Sequence, residues 1–566
     1  MSNTWNVVGQ QNMFGEAAID QFGSATAISS DGTVFAASSP FNVGANNLTG
    51  CGRVKVYNIN SITQQWEQMG LSIDGTVLRD GEITNIRFGS SLALSADGQI
   101  VAIGALGASA SVAGTGYAEV YKFNGYSWTR IGQKIEGENI GDRFGYSISL
   151  SDDGTILAVG ADLNDASVNG VNVSNGGHVR VFKLIGLVWT QIGQDIDGGG
   201  QAQTSSGKSI SLSADGTMVA IGEPGNEPNV TSYSTLNYGT ARVYKFNSQS
   251  NIWEKKGSDI HGNTFIEGKF GTSVSLSDDG NIVAIGGPGV TSAGSGTSGA
   301  YTTNSYVKVF NYNVGSSSWI QMGSDINGGA SYDYFGISVS LNYDGTIIAI
   351  GASYVDSSGN DSGQTKVYKW NGSSWNQFGQ NLNGQYTSDK AGNSVSLSKK
   401  GTVLVVGEIG TGLTNSTNHG RVMVYTSLLV PYITPYNTLT KTIGISPFTI
   451  VTPQPTDVSI VQASFSYKSY NLSIAEINNT LMTIVGVGSA IINATREETT
   501  THMAARIYIN LTVVDSTEIN PVIINNVDEL LFFMSHQNSE YCNITNSTNI
   551  YNSLIQLTKK RVFINK

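Results

Sequence analysis

The chain has 566 residues, room for two to four domains at about 150 residues each, with 68 glycines and only 13% charged residues. So many turn-formers and so few charges exclude coiled coils and helical solenoids. The net charge of −11, from 42 acidic and 31 basic side chains, argues against nucleic acid or an anionic membrane as the main partner.

The first element is a short strand, Trp5-Asn-Val-Val-Gly9. The residues before it have neither the basic nor the apolar region of a secretory leader, so no signal peptide is expected. A unit then repeats seven times. It opens on Phe22-Gly23, Phe88-Gly89, Phe144-Gly145, Ser206-Gly207, Phe270-Gly271, Phe335-Gly336 and Ala391-Gly392, at intervals of 56 to 66 residues. A turn follows in each: Asp-Gly at residues 31, 97, 153, 215, 279 and 344, and Lys400-Gly401 in the last.

Four strand-like runs recur within a unit, as in Tyr146–Leu150, Thr155–Gly160, His178–Phe182 and Trp189–Gly193. Asp-Gly suits a two-residue hairpin turn, so strands A and B are expected to be antiparallel neighbours. A meander of about 60 residues cannot bury both faces alone, and radial stacking of such sheets is a β-propeller. The fourth run, opened by Trp66, Trp128, Trp189, Trp253, Trp319 and Trp375, is missing after Arg421–Tyr425 of the seventh unit. Trp5–Gly9 supplies it, which predicts closure by the N-terminal strand. Alternate strand A positions are small (Ser147 and Ser149, Ser209 and Ser211, for instance), read as steric fit near the axis. The tryptophans are read as outer packing residues.

The pattern Phe-Gly-x-Ser-x-Ser-Leu-Ser-x-Asp-Gly-Thr, then Ala-Ile-Gly-Ala and a Gly-x-Val-x-Val-Tyr strand, resembles the FG-GAP repeats of integrin α-subunit propellers and of repeat proteins in bacteria, algae and large DNA viruses. The resemblance covers residues 1 to about 427. It implies a binding or adhesion role at a cell or virion surface. Integrin-type repeats often hold calcium in the A to B connection. Here that connection, Ser151–Thr155, is too short for the six to eight oxygens calcium takes, so no metal is expected there.

Pro431, Pro435 and Pro447 mark a composition shift. Beyond it Asn471–Ile477, followed by Thr483–Ala490 with its Gly-x-Gly, is similar to bacterial Ig-like domains. The longest apolar stretch, Leu481–Ile492, is too short to span a bilayer, and no membrane insertion is expected. The last fifty residues hold one helical pattern, Val527–His536, and a basic end. The expected fold is therefore all-β: a seven-bladed propeller (1–428), a linker (429–439), an Ig-like β-sandwich (440–514) and a tail (515–566), partly helical or disordered.

No catalytic constellation stands out, and no catalytic residue, metal site or cofactor is expected. Cys51 and Cys542 form no CxxC pair, and the five histidines, His178 among them, lack metal-helix spacing and are read as loop or surface residues. Strand C carries basic residues at Lys55, Arg180, Arg242, Lys308 and Lys366, read as long stems over apolar strand surface. The B to C and D to A connections are long and variable, where recognition usually resides. The expected contact residues are their aromatics: Phe41, Tyr233, Tyr238, Tyr301, Tyr332 and Tyr354. The alternative for these rings is that they pin their own loops. The functional expectation is a non-enzymatic module that binds a protein or carbohydrate partner and no nucleic acid. A glycan-processing propeller is the alternative.

Overall fold

The computed structural model describes residues 4–565 except 11–12, 45–49, 62, 76–85, 108–113, 169–170, 201, 227–236, 264–267, 290–304, 331, 411–418, 429–438, 443–446, 450–464, 498–501, 515–522, 525–541 and 546–561. Among the described residues there is no helix, hence none long and apolar enough to cross a membrane. The expected helix at 527–536 lies outside them, as do Tyr233 and Tyr301.

Seven antiparallel sheets follow one plan. In the third, strands A (Ser147–Leu150), B (Ile156–Ala161), C (His178–Ile185) and D (Val188–Gln191) lie side by side, and a two-residue extension (Ile196–Asp197) also pairs with C. Strand B is an unbroken apolar run because sheets cover it on both faces. In the seventh sheet the fourth strand is Asn6–Val7, with Asn6 opposite Thr426 and Val7 opposite Tyr425.

Three sets of hydrogen bonds join neighbouring blades. First, all seven strand D tryptophans donate from Nε1 to a carbonyl of the preceding blade: Trp66 to Val8, Trp128 to Met69, Trp189 to Ile131, Trp253 to Ile192, Trp319 to Lys256, Trp375 to Met322 and Trp5 to Phe378, at 2.7–3.0 Å. Trp5 thus does in the seventh blade what its counterparts do elsewhere.

Second, the strand A serines are more than small. Ser91, Ser147, Ser209, Ser273, Ser338 and Ser394 each donate to the carbonyl of the opening glycine in the next blade, with Ser394 reaching Gly23 at 2.8 Å. Ser149, Ser211, Ser275 and Ser340 accept from a leucine N–H of the next blade. The glycine of strand B permits this approach: a Cβ on Gly222 would stand 1.9 Å from Gly271 O.

Third, the residues before the turn aspartates form a cycle of backbone bonds. Ser30 donates to Ala96, Ala96 to Asp152, Asp152 to Ala214, Ala214 to Asp278, Asp278 to Tyr343 and Tyr343 to Lys399. The seventh bond, Lys399 N to Ser30 O at 3.1 Å, returns to the first blade.

The turn is four residues rather than the expected two. Gly32 N donates to Ser29 O, and only the glycine has positive φ (+71°). The aspartate is occupied by bracing: Asp215 Oδ1 accepts from Ser213 Oγ (2.6 Å), Thr217 N (2.9 Å) and Thr217 Oγ1 (2.9 Å). This accounts for the Ser-x-Asp-Gly-Thr spacing.

The chain forms two compact units. The first holds Met1–Thr434, Gln454–Phe465 and Thr495–Ile507. Within it Met503 joins the core with Val8, Phe35 and Val403, and Arg506 Nη2 donates to Asp31 Oδ2 at 2.9 Å. The Ig-like sandwich expected over 440–514 is not confirmed. Its described strands include a parallel pair, Leu439–Thr442 with Leu511–Val514, where such sandwiches use antiparallel sheets. In the tail, Ile523–Ile524, Cys542–Thr545 and Val562–Asn565 pair in parallel.

Candidate functional site

The direction of strand A sorts the propeller's two ends. It runs from the Phe-Gly pair to the Asp-Gly turn, so all A to B turns lie at one end and the B to C and D to A connections at the other. At the turn end the backbone cycle narrows the axis, and Lys399 Nζ bridges the carboxylates of Asp152 and Asp278 across it.

The loop end is open. A cavity of about 440 Å³ there is lined by residues of the third to sixth blades, including Leu163, Lys208, Pro224, Lys269, Tyr334 and Ile337. Six of its lining residues flank the Phe-Gly position of their blades, Ser205, Lys269 and Tyr334 before it and Lys208, Thr272 and Ile337 after it. The residue before each Phe-Gly pair is left-handed in all seven blades (Gln21, Arg87, Arg143, Ser205, Lys269, Tyr334 and Lys390, φ +50° to +58°). Four of the seven are basic. Arg143 Nε donates to the buried Asp162 at 2.9 Å and its guanidinium lies 4.8 Å from the Tyr146 ring centre. Lys208 Nζ stands 3.4 Å from Asp162 and 4.0 Å from the same ring.

Of the expected aromatics, Phe41, Tyr238, Tyr332 and Tyr354 are described, all half-buried. None of the four lines the cavity. Phe41 lies under the Arg87 guanidinium at 5.0 Å, and Tyr354 packs against Tyr334 at 5.0 Å and accepts from Lys390 Nζ at 3.3 Å. Tyr238 holds its loop through its backbone carbonyl, which accepts from Phe270 N. Tyr332 has φ +73° in the D to A connection. Tyr354 reaches the cavity only through Tyr334. The sequence signal that would have found the lining is the pair of residues flanking each Phe-Gly.

The strand C bases are engaged. Lys55 pairs with Glu16, Lys308 Nζ lies 3.8 Å from Asp325 Oδ1, and Arg242 pairs with Glu223 and with Asp259 at 3.1 Å. Arg180 lies 4.5 Å from the Phe144 ring centre and donates to Glu138 Oε1 at 3.3 Å. These four heads meet carboxylates, and those of Arg180 and Lys308 also lie over the Phe144 and Tyr306 rings.

Two buried ionisable groups escaped the sequence reading. His178, expected at the surface, begins strand C of the third blade and is 2% exposed. Burial pushes its imidazole down to about 4. Glu408 and Asp389 share one guanidinium, that of Arg421, out of water; burial pushes Glu408 up to about 7.

Residues 327–368 match the family model of the FG-GAP repeat. This stretch is an FG-GAP repeat. It runs from the end of the fifth blade's extension to strand C of the sixth, and so contains the Phe335-Gly336 pair, the turn at Asp344-Gly345 and Gly363. FG-GAP repeats are found in binding and adhesion proteins. No curated protein matches the chain.

Proposed function

We propose that the chain is a non-enzymatic recognition module whose partner, a protein, docks on the loop end of the FG-GAP propeller. The observation that carries this reading is the contrast between the two ends: braced turns and a bridged axis at one, a lined cavity among long connections at the other. Rigid strands hold those connections, the arrangement that suits recognition. The basic residues before the Phe-Gly pairs favour an acidic patch on the partner, by complementarity of charge. The expected place of action is a cell or virion surface, on the FG-GAP resemblance.

The test captures partners from surface extracts on immobilised protein, beside a glycan array and a panel of chromogenic glycosides. A captured protein released by Tyr334→Ala supports the reading. Turnover of any glycoside would replace it with the glycan-processing one, and a glycan as sole ligand would change the partner class.

A further inference from the structure

Glu138, His178 and Asp195 come together at the boundary between the second and third blades. Glu138 follows the second blade's extension (Ile135–Glu136), His178 opens the third blade's strand C, and Asp195 precedes that blade's extension. One ligand atom from each lies within 4.8 Å of the others. We propose that these three residues bind a divalent transition ion, zinc being the type, which ties the second blade to the third.

The imidazole is the independent sign. It is buried, makes no hydrogen bond among the described residues, and its Nδ1 stands 3.9 Å from Asp195 Oδ2, beyond hydrogen-bond reach. A buried imidazole facing two carboxylates has the donor character of a metal ligand.

The surroundings are already arranged around the carboxylates. Gln191 Nε2 donates to Asp195 Oδ1 at 2.7 Å, which leaves Oδ2, the oxygen nearer His178, for an ion. Arg180 fixes Glu138 through Oε1 and also donates to Glu136 O at 2.8 Å. Outer partners of this kind orient metal ligands. Asp197 lies opposite His178 in the strand pairing and close enough to feel the charges of Asp195 and Glu138, so three carboxylates gather here while Arg180 pairs with Glu138, and a cation would offset the excess. Zinc ligands at about 2.0–2.2 Å from the ion stand roughly 3.3 Å apart. Glu138 and Asp195 reach solvent, so their side chains can close the remaining distance and an ion can enter. An imidazole in the set favours zinc or its neighbours over calcium, which prefers oxygen alone.

The test uses the full chain, stripped with EDTA and titrated calorimetrically with zinc chloride, with calcium chloride as comparator. One zinc per chain is expected, together with a rise in melting temperature, since an ion that binds only the folded state stabilises it by mass action. Cobalt in its place should give a visible absorption band. Asp195→Asn and His178→Gln should each weaken zinc at least tenfold, and metal-free Asp195→Asn should melt like the parent. Should His178→Gln fail to fold, Glu138→Gln replaces it. Absence of stoichiometric zinc binding, tighter calcium than zinc, or zinc binding unchanged in these variants would overturn the proposal.

Discussion

The hydroxyl of Ser209 donates to Gly271 O across a blade boundary, so Ser209→Ala removes a bond as well as an oxygen. A steric role alone predicts a neutral change. The observed bond predicts a loss of about 1 kcal/mol, the net worth of a hydrogen bond whose partner is left buried. Urea unfolding of the two proteins distinguishes these. A second residue-scale expectation concerns pH. Burial raises Glu408, Arg421 opposes, and Asp389 adds to the rise; Asp389 itself is raised, again chiefly by burial. This cluster therefore holds more protons in the folded chain than in the unfolded one between about 4.5 and 7. Stability from this cluster grows as pH falls through that window and is lost as pH rises through about 7. Melting curves of the parent and Glu408→Gln at pH 5 and pH 7 check the sign: the deficit of the variant should be larger at pH 5.

Among the elements, the N-terminal strand and the turns carry separate loads. Deleting residues 1–9 would expose the edge at Val424–Thr426 and remove Trp5, which is 3% exposed and bonded to Phe378 O. The expected loss is about 3–5 kcal/mol, the cost of truncating a buried tryptophan, with aggregation through the freed edge. A truncated protein that melts within a degree or two of the parent would remove the strand's structural role. In the turns, Asp215→Ala deletes the acceptor for three donors and should cost about 1–2 kcal/mol without touching binding. Thermal unfolding measures it.

For the whole molecule the consequence is a division of labour between ends. Tyr334→Ala and Lys269→Ala, at the loop end, should each weaken partner binding by about 1 kcal/mol or more with little change in melting. Lys399→Ala, at the turn end, should lower stability and leave affinity unchanged, because it breaks the bridge to Asp152 and Asp278. Surface plasmon resonance with the captured partner reads both. Affinity lost through Lys399→Ala in a folded protein would move the recognition surface to the other end.

The repeat was legible because its determinants are local. The Ser-x-Asp-Gly-Thr turns are braced within a few residues of themselves, and the Phe-Gly pairs and strand D tryptophans recur at regular offsets from them, so spacing alone reveals seven units and even the displaced strand at Trp5. The long-loop end was legible too, since loop lengths decide it. What the serines bond to was not, because Ser209 and Gly271 meet only when two blades are set side by side. The cavity lining was missed for the same reason: Lys208, Lys269 and Tyr334 are about 60 residues apart and converge only through the radial placement of the two backbone positions that flank the Phe-Gly pair in every blade. His178 was read as a surface residue because neither its burial nor its approach to Glu138 and Asp195 is encoded nearby in the chain. Local chemistry determines the unit and its count; the stacking of units decides which side chains share a site.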